Sequence, residues 1–347
     1  MSTPAVALRC QALVKRFADT IAVDHLDLTV PTGTIFGLLG PNGSGKTSAI
    51  RTMLGIYVPD AGSVEVLGSS DPMAVRHRIG YLPEERGLYA KMKVIDQLAF
   101  LASIRGLDQK EATRRAGAWL ERVGLADSAQ SPTGELSKGM QQKVQFASAV
   151  IHDPDLVVLD EPFTGLDPVN TRLLKELILE QRKRGATVLL STHLMEQVEA
   201  LCESICLIDH GRAVLSGVLA DIKASYGRNT IDLEYRGTAG ALASVPGVRR
   251  CEDAGQEARL EPDADAQAVI RSLLDRVEIQ AIRLDHPHIE EIYLEKVGHR
   301  NRSGGRAGRP PCRNRPAAYR RDGADHGARR LGRDPGPVQR RGTSGDD

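Results

Sequence analysis

The octapeptide GPNGSGKT at residues 40–47 contains the residue types that hold a chain of phosphates. It matches the pattern G-x-x-x-x-G-K-[ST] at every fixed position. Glycines let backbone N–H groups turn inward, Lys46 provides a positive charge, and the Thr47 hydroxyl is an oxygen ligand for Mg²⁺. The pattern therefore predicts a nucleoside triphosphate site whose contacts are Gly40, Pro41, Asn42, Gly43, Ser44, Gly45, Lys46, Thr47 and Ser48.

Such a loop must be held between a strand and a helix, and the flanking residues predict both. Residues 34–40 form a short apolar run typical of a buried strand, and residues 47–54 have the pattern of the helix that follows. The N-terminus of that helix adds the positive end of its dipole to the phosphate site. A chance glycine-rich turn is the alternative interpretation, and the strand-loop-helix order argues against it.

A second apolar run ends in two adjacent acids. Residues 156–159 predict a buried strand, and Asp160 and Glu161 follow it. We expect Asp160 to hold Mg²⁺ through the water shell of the ion, and Glu161 to orient and polarise the attacking water. The alternative is a strand that simply ends at solvent with two charged residues. Together with the phosphate loop, the two acids predict hydrolysis of the bound triphosphate.

The composition limits the class of protein. The chain has 347 residues, of which 41% are hydrophobic and 26% charged, with a formal net charge of +1. This is ordinary soluble composition and is enough for two domains. No apolar run approaches the ~18 residues that span a bilayer, and the first residues lack the pattern of a signal peptide, so we expect a cytoplasmic protein. The five scattered cysteines include no CxxC pair and predict reduced thiols rather than a metal site.

The chain divides into three segments by pattern. Residues 1–217 alternate short apolar runs with helical periodicity, as an α/β nucleotide-binding domain does. Residues 218–297 predict a small α+β domain in the order βαββαβ, a ferredoxin-like arrangement. Its predicted strands are residues 230–235, 248–252, 257–261 and 278–284, and its predicted helices are residues 239–245 and 266–277.

The tail at residues 298–347 differs in kind from the rest of the chain. It contains 13 Arg, no Lys and 5 Asp, which gives a charge of +8, and it has few large apolar residues. Such a segment cannot bury enough surface to offset its ordering entropy, so we expect it to be disordered. It is either a basic arm for anionic lipid or nucleic acid, or a non-native extension read out of frame. Arginine without any lysine favours the second interpretation.

The stretch ELSKGMQQ at residues 135–142 resembles the LSGGQ signature of ATP-binding cassette (ABC) proteins. Leu136, Ser137 and Gly139 match the signature, whereas Lys138 and Met140 depart from it. The resemblance implies a P-loop NTPase fold with a RecA-like core and a helical subdomain, and ATP and Mg²⁺ as cofactors. It also implies that Ser137 and Gly139 act on the ATP of a second domain, so that two domains enclose two nucleotides. Without the family, Ser137 is simply a helix N-cap.

Further motifs of the ABC family follow in the expected order. Phe17 stands where relatives place an aromatic ring on adenine, with an ordinary core aromatic as the alternative. Val23 stands where a small apolar residue lies beside the ribose. Asp167 belongs to a segment, the D-loop, that resembles the one meeting the partner domain. His193 resembles the switch histidine that contacts the γ-phosphate and helps to hold the attacking water, although a lone histidine after a strand is usually structural.

The segment YLPEERGLY at residues 81–89 resembles the Q-loop of this family but differs at one position. Glu84 stands where most relatives have Gln, which reaches Mg²⁺ and the water. Glu84 keeps an oxygen ligand and adds a negative charge, so it should favour the metal. The segment also resembles sodium- and drug-exporter ATPase subunits that carry a C-terminal accessory domain. We expect residues 84–102, including Tyr89 and Met92, to dock on a membrane partner.

The resemblance implies the ATP-hydrolysing subunit of an ABC transporter, and the exporter-like segment implies an exporter. Its expected partners are a separate polytopic membrane permease and a second nucleotide-binding domain, in a homo- or heterodimer at the cytoplasmic face of the cell membrane. No nucleic acid partner is expected. A soluble regulatory ABC ATPase that is not coupled to transport is the alternative. One phosphate loop argues against two-cassette ribosomal proteins, and the 89 residues between Lys46 and Leu136 are too few for a DNA-repair coiled coil. The cargo is not specified.

Overall fold

The computed structural model describes residues 5–85, 87–226, 230–236, 245–252, 257–260, 266–274 and 278–298. The predicted helix at 239–245 and the arginine-rich tail at 298–347 fall almost wholly outside these residues. Short 3₁₀ turns in the described part of the chain lie at Arg76–Arg78, Ala126–Ser128 and Thr133–Glu135.

The described residues alternate strands and helices in the order that the sequence predicts. The strands are β1 (Val6–Phe17), β2 (Thr20–Pro31), β3 (Ile35–Leu39), β4 (Ala61–Val66), β5 (Ile79–Leu82), β6 (Leu156–Asp160), β7 (Thr187–Thr192), β8 (Ser204–Asp209), β9 (Arg212–Val218), β10 (Thr230–Arg236), β11 (Val248–Glu252), β12 (Glu257–Leu260) and β13 (Glu278–Asp285). The helices are α1 (Lys46–Met53), α2 (Val94–Ser103), α3 (Gln109–Arg122), α4 (Lys138–Val150), α5 (Pro168–Lys183), α6 (Met195–Leu201), α7 (Leu219–Ser225), α8 (Ala266–Leu274) and α9 (Ile289–Gly298).

A six-stranded sheet in the order β5-β6-β7-β3-β8-β9 forms the centre of the fold. The first five strands are parallel, and β9 is antiparallel to β8. The sheet is buried on both faces: along β6, Val157 and Leu159 pack into one hydrophobic cluster, and Leu156 and Val158 pack into the other. Helices on both sides of a parallel sheet require such continuous apolar strands, so the observed fold confirms the predicted α/β P-loop NTPase class.

A smaller antiparallel sheet in the order β2-β1-β4 covers helix α1. Buried side chains from this sheet, such as Leu8 and Leu26, share one cluster with Ile50 and Met53 of α1. Burial of this apolar surface fixes α1, and therefore the loop before it, between the two sheets.

A helical segment, α2 to α4, packs beside the central sheet. Trp119, the only tryptophan of the sequence, lies on α3 with 6% of its surface exposed. Its ring is 6.2 Å from that of Phe146 on α4, and the guanidinium of Arg122 lies 4.3 Å from its centroid. Asp108 begins α3 by accepting a hydrogen bond from the Glu111 N–H at 3.0 Å.

The C-terminal part contains an antiparallel sheet in the order β11-β12-β10-β13. The ferredoxin-like arrangement remains a prediction, since its first helix lies outside the described residues. Helix α9 returns to the nucleotide-binding part, where Ile289 and Ile292 are buried in the same cluster as Val198 and Leu201 of α6. In the part of the chain that the structure describes, no helix is long and apolar enough to cross a membrane.

Candidate nucleotide-binding site

Three neighbouring strands bring the predicted catalytic residues to one edge of the central sheet. Strands β6, β7 and β3 lie side by side, and all three run in the same direction. The phosphate loop follows β3, Asp160 and Glu161 stand at the end of β6, and His193 follows β7. Because the carboxyl ends of parallel strands meet at one edge, residues far apart in sequence become neighbours there.

The phosphate loop is closed around the side chain of Lys46. The Lys46 ammonium donates to the carbonyl oxygens of Gly40 at 2.8 Å and Pro41 at 3.2 Å, and only 5% of the residue is exposed. Gly45, just before α1, has a φ of 104°, and a Cβ there would lie 2.2 Å from the Ala22 carbonyl oxygen. Only glycine fits this position, so the loop can keep its shape only with Gly45.

Glu161 links Lys46 to His193. One carboxylate oxygen, Oε1, lies 3.4 Å from the Lys46 ammonium; the other, Oε2, lies 3.0 Å from His193 Nδ1 and accepts from the Thr192 hydroxyl at 3.2 Å. Glu161 is 5% exposed and has a φ of 51°, which is strained for a residue with a side chain. Its N–H donates to the Ser191 carbonyl at 2.9 Å, which holds this backbone against β7. The cluster can therefore accept a phosphate at Lys46 and a proton at the carboxylate.

Asp160 has the burial and the electrostatics of a cation ligand. The residue is fully buried, and neither carboxylate oxygen has a hydrogen-bond partner among the described residues. Burial raises the pKa of Asp160 above its ordinary value; the nearby Ser191 and Thr47 hydroxyls lower it only in part, without reaching hydrogen-bond geometry, and the charge of Glu84 raises it further. A divalent cation would offset this electrostatic cost, so the donor set of Thr47, Glu84 and Asp160 fits Mg²⁺.

A cavity of about 330 Å³ lies over the phosphate loop. Its wall contains Asn42, Gly43 and residues 45–48 of the loop, together with Glu84 and Glu161. Residues 20–22 of β2 and residues 210–211 after β8 complete the wall. These last two segments carry no motif and were not predicted, because they reach the site only through the pairing of distant strands.

The structure changes the interpretation of the two residues expected at the base and sugar. Val23 is 1% exposed and packs in the core, whereas Ala22 lines the cavity. Neighbouring side chains point to opposite faces of a strand, so Ala22 faces the cavity where Val23 does not; the ribose contact itself stays a prediction. Phe17 is 40% exposed and lies 5.1 Å from the ring of Tyr57. The core-aromatic alternative for Phe17 is therefore wrong, and its ring stays a proposed adenine contact.

The signature and the D-loop lie side by side but outside the wall of this cavity. Ser137 is the N-cap of α4 and accepts from the Met140 N–H at 3.3 Å. Asp167 is the N-cap of α5 and accepts from the Asn170 N–H at 2.9 Å, which is the main reason its pKa is lowered. A Cβ on Gly139 would make only ordinary contacts, the nearest at 3.6 Å. None of the described residues requires glycine at position 139.

A comparison with known proteins identifies the family. Over 288 residues the chain is 42% identical to an ABC transporter ATP-binding protein of Bacillus subtilis, an alignment that covers 82% of this chain and 97% of the relative. This chain is an ABC transporter ATP-binding protein. Its resemblance to that family is thereby confirmed. The Nod factor export ATP-binding protein I of Sinorhizobium fredii is 34% identical over 299 residues, with 84% of this chain and 86% of that protein covered.

Two family models divide the ABC protein along its length. A model described as ABC transporter matches residues 23–164, and one described as the C-terminal domain of DrrA1-3-like ATP-binding proteins matches residues 217–297. Among solved structures, one titled as the ATP-binding subunit of an ABC transporter is 32% identical and has a TM-score of 0.60. It covers 64% of this chain and 93% of its own. The chain thus combines an ABC transporter ATP-binding domain with a DrrA-like C-terminal domain.

Proposed function

We propose that this ABC protein hydrolyses ATP with Mg²⁺, works as a pair of nucleotide-binding domains, and drives export through a separate membrane permease. The observation that carries this proposal is the Lys46–Glu161–His193 cluster at the carboxyl ends of three adjacent strands. A loop that binds triphosphate, a carboxylate and a histidine within hydrogen-bonding distance of that carboxylate are the parts needed for attack by water.

The residues of the cluster take separate roles. The phosphate loop and Lys46 bind the β- and γ-phosphates, and Glu161 orients the attacking water and accepts its proton. Oε1 of Glu161 has no hydrogen-bond partner among the described residues, and it lies 3.4 Å from Lys46. When a triphosphate takes up the charge of Lys46, this oxygen becomes free to accept from water. His193, held at 3.0 Å by the other oxygen, contacts the γ-phosphate.

Thr47, Glu84 and Asp160 hold the metal in this proposal. The bound Mg²⁺ would neutralise charge that develops on the phosphates. No group of three or more His, Cys, Asp or Glu residues in the described part of the chain is placed to hold a metal by itself. In this proposal the nucleotide would supply the remaining oxygen ligands, so we expect the metal to bind with ATP rather than before it.

The exposed signature and D-loop support the paired state. Ser137 and Asp167 are exposed and lie outside the cavity wall of their own chain. We infer that Ser137, Gly139 and Asp167 act on the nucleotide of a second copy or a related domain. ATP then draws the two domains together through contacts to the γ-phosphate, and its hydrolysis releases them.

The name of a relative supports our proposal for the direction of transport, and an exposed aromatic pair supports our proposal for the permease contact. The Nod factor export relative is named for export. Tyr89 is 55% exposed and packs edge-to-face on Phe100 at 6.2 Å, on the segment at 84–102. We place the permease contact here and the protein at the cytoplasmic face of the membrane. Residues 1–217, 218–297 and 298–347 remain our proposed division into cassette, accessory domain and tail.

Replacing Glu161 by Gln tests the hydrolytic proposal. The variant should bind ATP with wild-type affinity, because Lys46 and the loop are unchanged, while turnover falls about 100- to 10,000-fold. Light scattering should then detect a dimer that forms with ATP and persists. Glu65→Gln, at an exposed acid on β4, is the matched control and should leave turnover unchanged. Wild-type hydrolysis by Glu161→Gln would exclude Glu161 as the base.

The docking proposal has its own test. The Tyr89 N–H donates to Gln97 Oε1 at 3.0 Å, and the Tyr89 carbonyl accepts from the Thr133 hydroxyl at 2.7 Å. Because these bonds hold the backbone, a new side chain at this position should not unfold the segment. Tyr89→Asp should abolish the stimulation of ATPase turnover by co-purified permease and leave basal turnover within about twofold. Equal loss of basal and stimulated turnover would argue against docking at Tyr89.

A further inference from the structure

Helix α6 joins the switch histidine to the C-terminal domain. His193 and Leu194 precede the first residue of α6, and Leu194 donates its N–H to the Thr192 hydroxyl at 3.1 Å. The helix is short, and no side chain caps its N-terminus. Such a helix has little intrinsic stability, so its position depends on what packs against it. In this protein α9 packs against α6.

Glu199 on α6 receives contacts from two helices of the C-terminal domain. Its Oε1 accepts from the Ile289 N–H at the start of α9 at 2.5 Å. Its Oε2 accepts from the Lys223 ammonium of α7 at 2.9 Å and lies 3.3 Å from His288 Nδ1. Both Lys223 and Ile289 fall within residues 217–297, the range matched by the C-terminal domain family.

The Glu199 carboxylate is suited to this link. Its side chain is 19% exposed. Burial works against the charge, but the Ile289 N–H and the Lys223 ammonium outweigh it and hold the pKa of Glu199 below its ordinary value. A charged carboxylate at the N-terminus of α9 satisfies an N–H group that has no partner within the helix and also interacts favourably with the helix dipole.

The same helix pair encloses a second cavity that reaches the phosphate loop. This cavity, of about 590 Å³, is lined by Asn42 of the loop, by His193 and by Glu290 and Tyr293 of α9. The C-terminal helix and the His193 segment therefore line the same cavity. A shift of α9 would change the room available to that segment.

We propose that Glu199 is a positioning residue through which the C-terminal domain sets the place of His193. The proposal rests on the role proposed above for His193 at the γ-phosphate. Glu199 touches neither nucleotide nor water; it fixes α6 to α7 and α9, and α6 in turn fixes the loop that carries His193. The accessory domain then controls hydrolysis in its own chain, by holding or releasing one helix.

Replacing Glu199 by Ala, in the full chain, tests the link by two independent measurements. Turnover should fall about fivefold to tenfold, because the capping contact and the ion pair are both lost, while the Kd for ADP stays within about twofold. Hydrogen exchange should rise in residues 193–201. Glu203→Ala is the matched control: Glu203 is four residues further on and pairs with Arg182 of α5 at 2.6 Å, so neither measurement should change.

A double-mutant cycle separates positioning from a general structural effect. In a His193→Ala background, Glu199→Ala should lower turnover no further, because its effect passes through His193. The same loss in both backgrounds would overturn the proposal. Glu199→Gln keeps an acceptor for the Ile289 N–H and should give an intermediate loss of turnover; if Glu199→Ala does not fold, this variant carries the same measurements.

The outcomes distinguish this proposal from the proposed function. If His193→Ala alone hydrolyses ATP at the wild-type rate, the role of His193 is wrong, and the control of hydrolysis proposed here falls with it. If His193→Ala is impaired but Glu199→Ala leaves hydrogen exchange in residues 193–201 unchanged, or changes it no more than Glu203→Ala does, only the link through Glu199 is overturned.

Discussion

The phosphate loop and the signature segment of this ABC protein differ in burial and in the contacts that their residues make within the chain. At the loop, Lys46 and Glu161 are each 5% exposed and touch each other within one chain. At the signature, Ser137 is exposed, and Gly139 has no internal reason to be glycine. The side chains of the loop region thus contact one another within the chain, whereas Ser137 of the signature faces solvent. The difference supports our proposal that the phosphate loop of one chain and the signature of a second domain together form each site.

The strongest test of this contrast combines two inactive variants. Lys46→Ala should abolish phosphate binding at the loop of its own chain, and Gly139→Asp should place a negative charge against the phosphate bound by the partner chain. Each variant alone should lose at least about 100-fold in turnover. Mixed together, the two variants should recover about a quarter of wild-type turnover, because half of the random pairs are mixed and each mixed pair retains one intact site.

The recovery must depend on pairing of the two variants. Diluting the mixture below the concentration at which light scattering detects dimers should remove the activity. If mixed pairs are detected and turnover stays at the level of the single variants, the signature does not act across the interface in a pair of identical chains.

A smaller effect is expected at Asp160, a buried carboxylate beside the phosphate loop for which the described residues supply no hydrogen bond. Its raised pKa means that the folded state binds a proton more tightly than the unfolded chain does. The carboxylate therefore costs stability increasingly as pH rises from its ordinary pKa of 3.8 through the raised value, and the full cost persists above that. Asp160→Asn should raise the free energy of unfolding without ligand, by about 1–3 kcal/mol near neutral pH, and the gain should vanish in acid.

Asp160→Asn should also reduce the stabilisation that the protein gains from binding Mg²⁺ with ATP. Adding Mg²⁺ and ATP should raise the melting temperature of the wild-type protein more than that of Asp160→Asn, since binding to the folded state stabilises by mass action. Differential scanning calorimetry at several pH values measures both effects. A variant that is less stable without ligand would show that Asp160 has a structural partner in solution.

The smallest expected effect is on stability at the signature. Gly139 lies in the first turn of α4, and a Cβ there has room. Gly139→Ala should therefore stabilise the fold by about 0.5–1 kcal/mol, because alanine favours the helix, and should still lower turnover by approaching the phosphate of the partner. Thermal unfolding and ATPase assays on one preparation measure both changes. Lower stability would mean that the glycine serves this chain's own packing.

The parts of the molecule that sequence could predict are those with a local signal. The phosphate loop, the acids after β6 and the helix cap at Ser137 each lie within a few residues of the pattern that predicts them, and the alternating apolar runs predicted the fold. Val23 shows where this reasoning stops. The family resemblance alone suggested Val23 for the ribose, and the structure buries Val23 while its neighbour Ala22 lines the cavity. Sequence does not tell which of two neighbours on a strand faces the core.

Contacts between distant segments have no local sequence pattern that predicts them. The bond from Ile289 to Glu199 joins residues 90 apart, and Glu199 has no motif around it. Residues 210–211 reach the cavity because β8 pairs with β3, a neighbour fixed by the sheet order. Such pairings depend on the whole fold, and they decide which side chains complete the site.

The lone indole of this molecule provides an optical probe that needs no labelling. Trp119 is held on α3 beneath the Arg122 guanidinium, within the helical segment and remote in sequence from the phosphate loop. Because the sequence contains no other tryptophan, this emission will report on movements of the helical segment. Stopped-flow mixing with ATP can then follow the helical segment in real time with the unmodified protein.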